Sequence, residues 1–323
     1  MGSLGFIMSR VTKPNHKYVY IFIIVIILSA ILMQKKENPR EESNVEPSYQ
    51  NTLLTQLNAE SYIKNSTVDD ISQIKIGIID TGILEHPNLN ITMINDISEE
   101  EVEFPHGVGV MGIIGSYGTS YNSYEGLLPG VVLYAYNIPL NELTTTNLST
   151  GIDKLVEFGV DIINISLSTS VDDPKLYKSV KAAVSRNVTI ICSSGNSGDN
   201  SLYYPAAYNL PGVVSVGALN NDMDIMPATT VNEQIDIYAP GEGINSLNKE
   251  FSSISDYSGT SMATPIITSF ATILKVRCSS ITPEEIEQYI RDNSTVYLGR
   301  WRGISKSIRL LNGEKLDRIC TGG

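Results

Sequence analysis

The sequence predicts an α/β layer fold with a mainly parallel central sheet. Three observations carry this: short continuous apolar runs rich in β-branched residues, Gly, Asn, Pro or Ser at their ends, and helical patterns lying between them. Strands buried on both faces read as such runs, and alternation with helices is the signature of a sheet covered on both sides. The composition agrees with a folded chain: of 323 residues 42% are apolar and 18% charged, with 25 Gly and 14 Pro.

Taken in order, the first segment stands apart. Tyr18–Gln34 carries no charge, and as a helix it would span about 25 Å at 1.5 Å per residue, enough to cross a bilayer. A signal-peptide core is shorter and ends at a small-x-small site, whereas Ser29 and Ala30 are followed by Ile31, Leu32 and Met33. The expectation is a single uncleaved transmembrane anchor at 18–34, after a short tail, 1–17. Arg10, Lys13 and Lys17 before the span balance Lys35, Lys36 and Arg40 after it, so the positive-inside rule leaves its orientation tied. The acidic body is expected outside the cytoplasm. Residues 35–52 form a disordered tether, because Lys35–Gln50 holds two prolines and seven charges with almost no aliphatics. The rest, 53–323, reads as one folded unit.

Strands are predicted at Ile74–Ile79, Val131–Ile138, Asp161–Leu167, Val188–Cys192 and Val213–Val216. The clearest helix is Pro174–Arg186: Asp173 can cap it, Pro174 suits the first position, and Leu176, Val180, Ala183 and Val184 share a face. Asn147–Phe158 and Ser261–Val276 are also helical in pattern. A last helix opens at Thr282-Pro283-Glu284-Glu285, a capping box with proline in the first turn.

Charge and cysteine count remove several functions. The net charge is −12, and with residues 1–40 set aside 17 bases face 34 acids, which argues against nucleic-acid binding. Cys192, Cys278 and Cys320 are too few and too scattered for a disulfide framework or a zinc site. Cys192 reads as a small core residue.

Three histidines test any mechanism that needs an imidazole base. His16 precedes the apolar span and His86 sits in the turn-like Glu85-His86-Pro87, which leaves His106. Ser261 stands between small residues at the start of a helical pattern, where its own N–H and the helix dipole suit an oxyanion. Taken alone, the pattern is common at helix starts and reads by default as a structural cap. No histidine follows Ser261, so the order serine, acid, histidine of the α/β-hydrolases is excluded. The order histidine, acid, serine belongs to an all-β fold, which leaves acid, histidine, serine and requires an acid before His106. Asp80 ends the first strand, at the carboxyl edge where parallel sheets build their sites.

Together these blocks resemble the subtilisin-like serine proteases, the subtilase family: Ile78-Ile79-Asp80-Thr81-Gly82, His106-Gly107, Gly195-Asn196 and Gly259-Thr260-Ser261-Met262-Ala263-Thr264-Pro265. The resemblance runs from about Leu53 to Leu316 and implies a three-layer subtilisin-like fold. It implies Ser261 as nucleophile, His106 as base, Asp80 as its orienting acid and Asn196 as oxyanion donor. It also implies that Ser166, Leu167 and Ser168 line the substrate as an added strand. With Ser194 and Gly195 they wall the pocket for the residue before the cut.

Departures from the pattern bear on specificity and metal. Ser168 stands where many relatives have glycine, which narrows or repolarises that pocket, and Pro205-Ala206-Ala207 supply no charge to its far wall. The His106 block lacks the usual Thr and second His, and Ile266 follows Pro265 where His is common. Asn88 replaces an aspartate that often binds calcium, and Tyr117–Tyr124 is poor in carboxylates. Little calcium dependence, and no cofactor, is expected. The acidic run Asp96, Glu99, Glu100, Glu101 and Glu103 is either a lure for cationic peptides or a solvated loop. The function implied is a membrane-anchored serine endopeptidase acting on extracytoplasmic proteins or peptide precursors. A catalytically inactive, peptide-binding relative is the alternative.

Overall fold

A computed structural model describes residues 53–64, 71–95, 102 and 104–317. The predicted anchor, the tether and all five residues of the acidic run lie outside the described residues. Among those described, no helix is long and apolar enough to cross a membrane.

Nine strands form one sheet: β1 (Ile76–Asp80), β2 (Asn90–Met93), β3 (Val132–Asn137), β4 (Ile162–Ile165), β5 (Thr189–Ser193), β6 (Val213–Leu219), β7 (Ile237–Pro240), β10 (Thr295–Trp301) and β11 (Ile304–Leu310). A separate antiparallel pair, β8 (Ile244–Leu247) and β9 (Ile254–Tyr257), stands beside it. The order is β10-β11-β7-β6-β5-β4-β1-β3-β2, and every pairing in it is parallel except β10 with β11. The five predicted runs become β1, β3, β4, β5 and β6, so the mainly parallel α/β sheet is as read.

Two cores divide on the pleat. Successive side chains of a strand face opposite ways, so Ile78, Ile162, Ile191 and Val214 enter one core while Ile79, Ile163, Ile190 and Val213 enter the other. The second core is roofed by α3 (Thr145–Phe158) through Leu148, Ile152 and Leu155, and by α4 (Pro174–Ser185) through Leu176, Val180 and Ala183. The first is roofed by α2 (His106–Gly115), α5 (Thr260–Arg277) and α6 (Pro283–Asp292). Local chemistry explains the ends: Asp173 accepts from the N–H groups of Lys175 and Leu176, and Thr282 and Glu285 form the capping box read from sequence.

The far end of α5 ties down both flanks of the described chain. Arg277 stacks over the ring of Tyr62 in α1 (Glu60–Lys64), with its guanidinium carbon 4.4 Å from the centroid, and donates to Asp317 of α7 (Gly313–Asp317) at 2.6 Å. Cys278, just past α5, is disulfide-bonded, so one bridge exists where the spacing argued only against a framework. Cys192 is free and buried, and burial pushes its thiol well above the ordinary value, which suits a core residue rather than a reactive one.

Candidate active site

Asp80 occupies the last position of β1 and is fully buried. Its Oδ1 accepts from the Thr81 N–H at 2.7 Å and lies 2.6 Å from Nδ1 of His106. His106 opens α2 directly beside that carboxyl edge. Burial pulls its imidazole down, but the charge of Asp80 and the hydrogen bond to it outweigh that and hold the pKa above 6.5. His86 is drawn into a loop instead, its Nδ1 accepting the Asn88 N–H at 3.1 Å, and His16 lies outside the described residues.

Ser261 is the second residue of α5, which packs on α2. Its Oγ donates to the Ser166 carbonyl at 3.0 Å rather than to His106. In return Ser166 Oγ donates to the Ser261 carbonyl at 2.9 Å. The reason for the return bond is Pro265: four residues on, it has no N–H to offer that carbonyl, and a side chain fills the place. Ser166 Oγ is itself held by Asn164 Nδ2 at 3.0 Å, and Asn164 Oδ1 by Thr268 Oγ1 at 2.9 Å. A buried polar chain thus fixes the nucleophile candidate to β4. Asn164 lies in the predicted strand Asp161–Leu167 and Thr268 in the predicted helix Ser261–Val276, and neither stands out because they meet only through the fold.

Asn196 follows Gly195 past β5. Its Oδ1 accepts from both the N–H and the Oγ1 of Thr260, at 2.9 and 3.0 Å, which commits Nδ2 to act as a donor elsewhere. A Cβ at Gly259 would come within 3.0 Å of that Nδ2, and Gly259 has φ +144°, so glycine is required for the approach. Thr260 therefore orients the amide, a role its place before Ser261 in the motif could have suggested. Of the pocket residues, Ser194 Oγ donates to the Thr230 carbonyl at 3.1 Å, Leu167 packs into the second core, and Ser168 is 7% exposed. The arrangement joins a buried carboxylate, an imidazole, a hydroxyl at a helix N-terminus and a free amide donor at one sheet edge.

The loop read as metal-poor closes on a side chain. Asn88 is fully buried, and its Nδ2 donates to the carbonyls of Tyr117 and Asn122, both at 2.7 Å, while its Oδ1 accepts from Thr119 Oγ1 at 3.1 Å. Carbonyls that would face a cation face an N–H₂ group, so these residues do not fit calcium. No group of three or more His, Cys, Asp or Glu among the described residues is set to hold a metal.

An acid, an imidazole and a serine in that chain order on a parallel α/β sheet define the subtilisin class of serine hydrolase folds. The model of the subtilase family matches residues 72–320, and the chain belongs to that family. It is 32% identical over 230 residues to the minor extracellular protease Epr of Bacillus subtilis (strain 168), covering 68% of this chain and 35% of that one. It is 28% identical over 230 residues to subtilisin Savinase of Lederbergia lenta, covering 69% of this chain and 84% of that one. The chain thus spans about a third of Epr and most of Savinase. Among solved structures, the patellamide maturation protease PatA aligns with TM-score 0.65 at 25% identity, over 77% of this chain and 97% of that one. The prenylagaramide maturation protease PagA aligns with TM-score 0.67 at 24% identity, over 80% and 99%, a likeness of fold.

Proposed function

We propose that the chain is a membrane-anchored serine endopeptidase that hydrolyses peptide bonds in extracytoplasmic proteins or peptide precursors. The observation that carries the proposal is the 2.6 Å contact between the buried Asp80 carboxylate and His106 Nδ1. It fixes the tautomer with Nε2 as the base and stabilises the imidazolium that forms. Ser261 Oγ attacks the substrate carbonyl carbon as Nε2 takes its proton. Asn196 Nδ2 and the Ser261 N–H receive the oxyanion. Collapse breaks the C–N bond, His106 returns the proton to the leaving amine, and water releases the acyl group by the same steps.

Before attack the Ser261 hydroxyl must leave the Ser166 carbonyl and turn to His106. A peptide laid along Ser166–Ser168 offers that carbonyl a backbone N–H, which competes for the acceptor and frees the hydroxyl. Relatives named as proteases support the reaction class. The disulfide at Cys278 supports an oxidising compartment, and the uncharged Tyr18–Gln34 supports single-pass anchoring at the cell membrane. The rival, an inactive peptide-binding subtilase, draws on the resting bond from Ser261 to Ser166 but has to set aside four intact catalytic groups. Full-length protein in detergent should cleave unfolded casein, and Ser261→Ala should abolish cleavage while still binding peptide. Equal cleavage by both forms would contradict the proposal.

A further inference from the structure

We propose that Tyr203 fills the pocket for the side chain preceding the scissile bond, so that this enzyme cuts after glycine, alanine or serine. The inference rests on the serine endopeptidase function and on the pocket walls Ser166–Ser168 and Ser194–Gly195. Thr169, at the end of the first wall, pairs with Tyr204 through both backbone groups: Thr169 N–H to the Tyr204 carbonyl at 3.0 Å and Tyr204 N–H to the Thr169 carbonyl at 2.7 Å. The pairing holds Tyr203–Pro205 beside that wall.

Neighbouring side chains on an extended segment point opposite ways. The ring of Tyr204 turns to Tyr208 against the second core, centroids 4.7 Å apart, and Tyr208 meets Tyr177 at 5.2 Å. Tyr203 goes the other way, onto the second wall. The position of a Cβ on Gly195 lies 3.1 Å from Tyr203 Cγ and 3.3 Å from its Cδ2, and 2.9 Å from Thr230 Oγ1. Tyr203 is only 7% exposed, so its ring is packed against this wall rather than lying over the rim in solvent.

A tyrosine buries roughly 150–250 Å² when packed, which is the space a large substrate side chain needs. Ser168, also 7% exposed, adds a hydroxymethyl group on the opposite wall. Pro205, Ala206 and Ala207 bring no charge that would recompense a basic residue. What remains fits a hydrogen, a methyl or a hydroxymethyl group.

The test uses full-length enzyme in detergent and quenched peptides that differ only in the residue before the cut: Gly, Ala, Ser, Leu or Phe. Cleavage sites are read by mass spectrometry, and a fluorophosphonate probe counts active serines in each preparation. Wild type should favour Ala over Phe by at least about 100-fold in kcat/KM. Tyr203→Gly should raise the rate for Phe and Leu at least about tenfold, while Tyr203→Phe, which keeps the ring, should retain the wild-type profile. Labelled wild type that cuts after Phe or Leu as fast as after Ala overturns the inference and leaves the endopeptidase function standing. So does a labelled Tyr203→Gly enzyme with an unchanged profile. Wild type that neither labels nor cuts overturns both.

Discussion

Ser166 and Ser261 exchange two hydrogen bonds, each hydroxyl donating to the other's backbone carbonyl, at 2.9 and 3.0 Å. One bond compensates for the N–H that Pro265 lacks, and the other holds the nucleophile candidate at rest on the segment proposed to receive substrate. Structure and reactivity therefore meet in one pair of residues 95 positions apart.

Ser166→Ala separates the two roles. It removes the donor to the Ser261 carbonyl, which lies buried and has no helical partner, so unfolding free energy should fall by about 1–3 kcal/mol. The Ser166 carbonyl remains, so the resting place of Ser261 Oγ is kept. Urea denaturation of variant and wild type measures the first effect; a loss under about 0.5 kcal/mol would mean that the carbonyl finds another donor.

In the proposed mechanism the raised pKa of His106 should set the acid limb of activity. Neutral imidazole is the active base, so kcat/KM should rise with pH through an apparent pKa above 6.5 and vanish below it. Stability runs the other way: the ion pair's contribution is full below 6.5 and is lost as pH rises through the folded-state value. Asp80→Asn leaves burial to act alone, which should move the limb below 6.5 and cut kcat by roughly 10⁴-fold. A pH profile unchanged by Asp80→Asn would detach His106 from the reaction.

Asn88 should make the loop at Tyr117–Asn122 indifferent to calcium. Chelator should shift the melting temperature of wild type by less than about 2 °C. Asn88→Asp turns a donor into a carboxylate facing two carbonyls, so this variant should melt several degrees lower in chelator and recover in millimolar calcium. Differential scanning fluorimetry reads both, and a calcium-dependent wild type would refute the amide's role.

How far the sequence could be read depended on whether signals were local. The caps at Asp173 and Thr282 and the runs that become β1, β3, β4, β5 and β6 depend on neighbours within a few residues. α2 carries no helical signal in the sequence, because glycines at 107, 109, 112 and 115 depress helix propensity. They serve close packing instead, with Gly109 against Tyr257 and Gly112 against Ser246 and Leu247. The β10–β11 hairpin is equally silent in the sequence: its turn is Arg302-Gly303, both at positive φ, rather than the Asn-Gly that advertises such turns. Asp80, His106, Asn196 and Ser261 stood in motif blocks. Tyr203, Asn164 and Thr268 reach the site only through pairings between distant segments.

The central claim is that Ser261 is an activated nucleophile. The most direct measurement treats full-length protein, Ser261→Ala and His106→Ala with a fluorophosphonate probe and weighs each intact by mass spectrometry. The account predicts one probe per wild-type chain, on Ser261, none on Ser261→Ala, and a rate on His106→Ala lower by several orders of magnitude. A folded, monodisperse wild type that takes no probe, or a label that persists on Ser261→Ala, would contradict it.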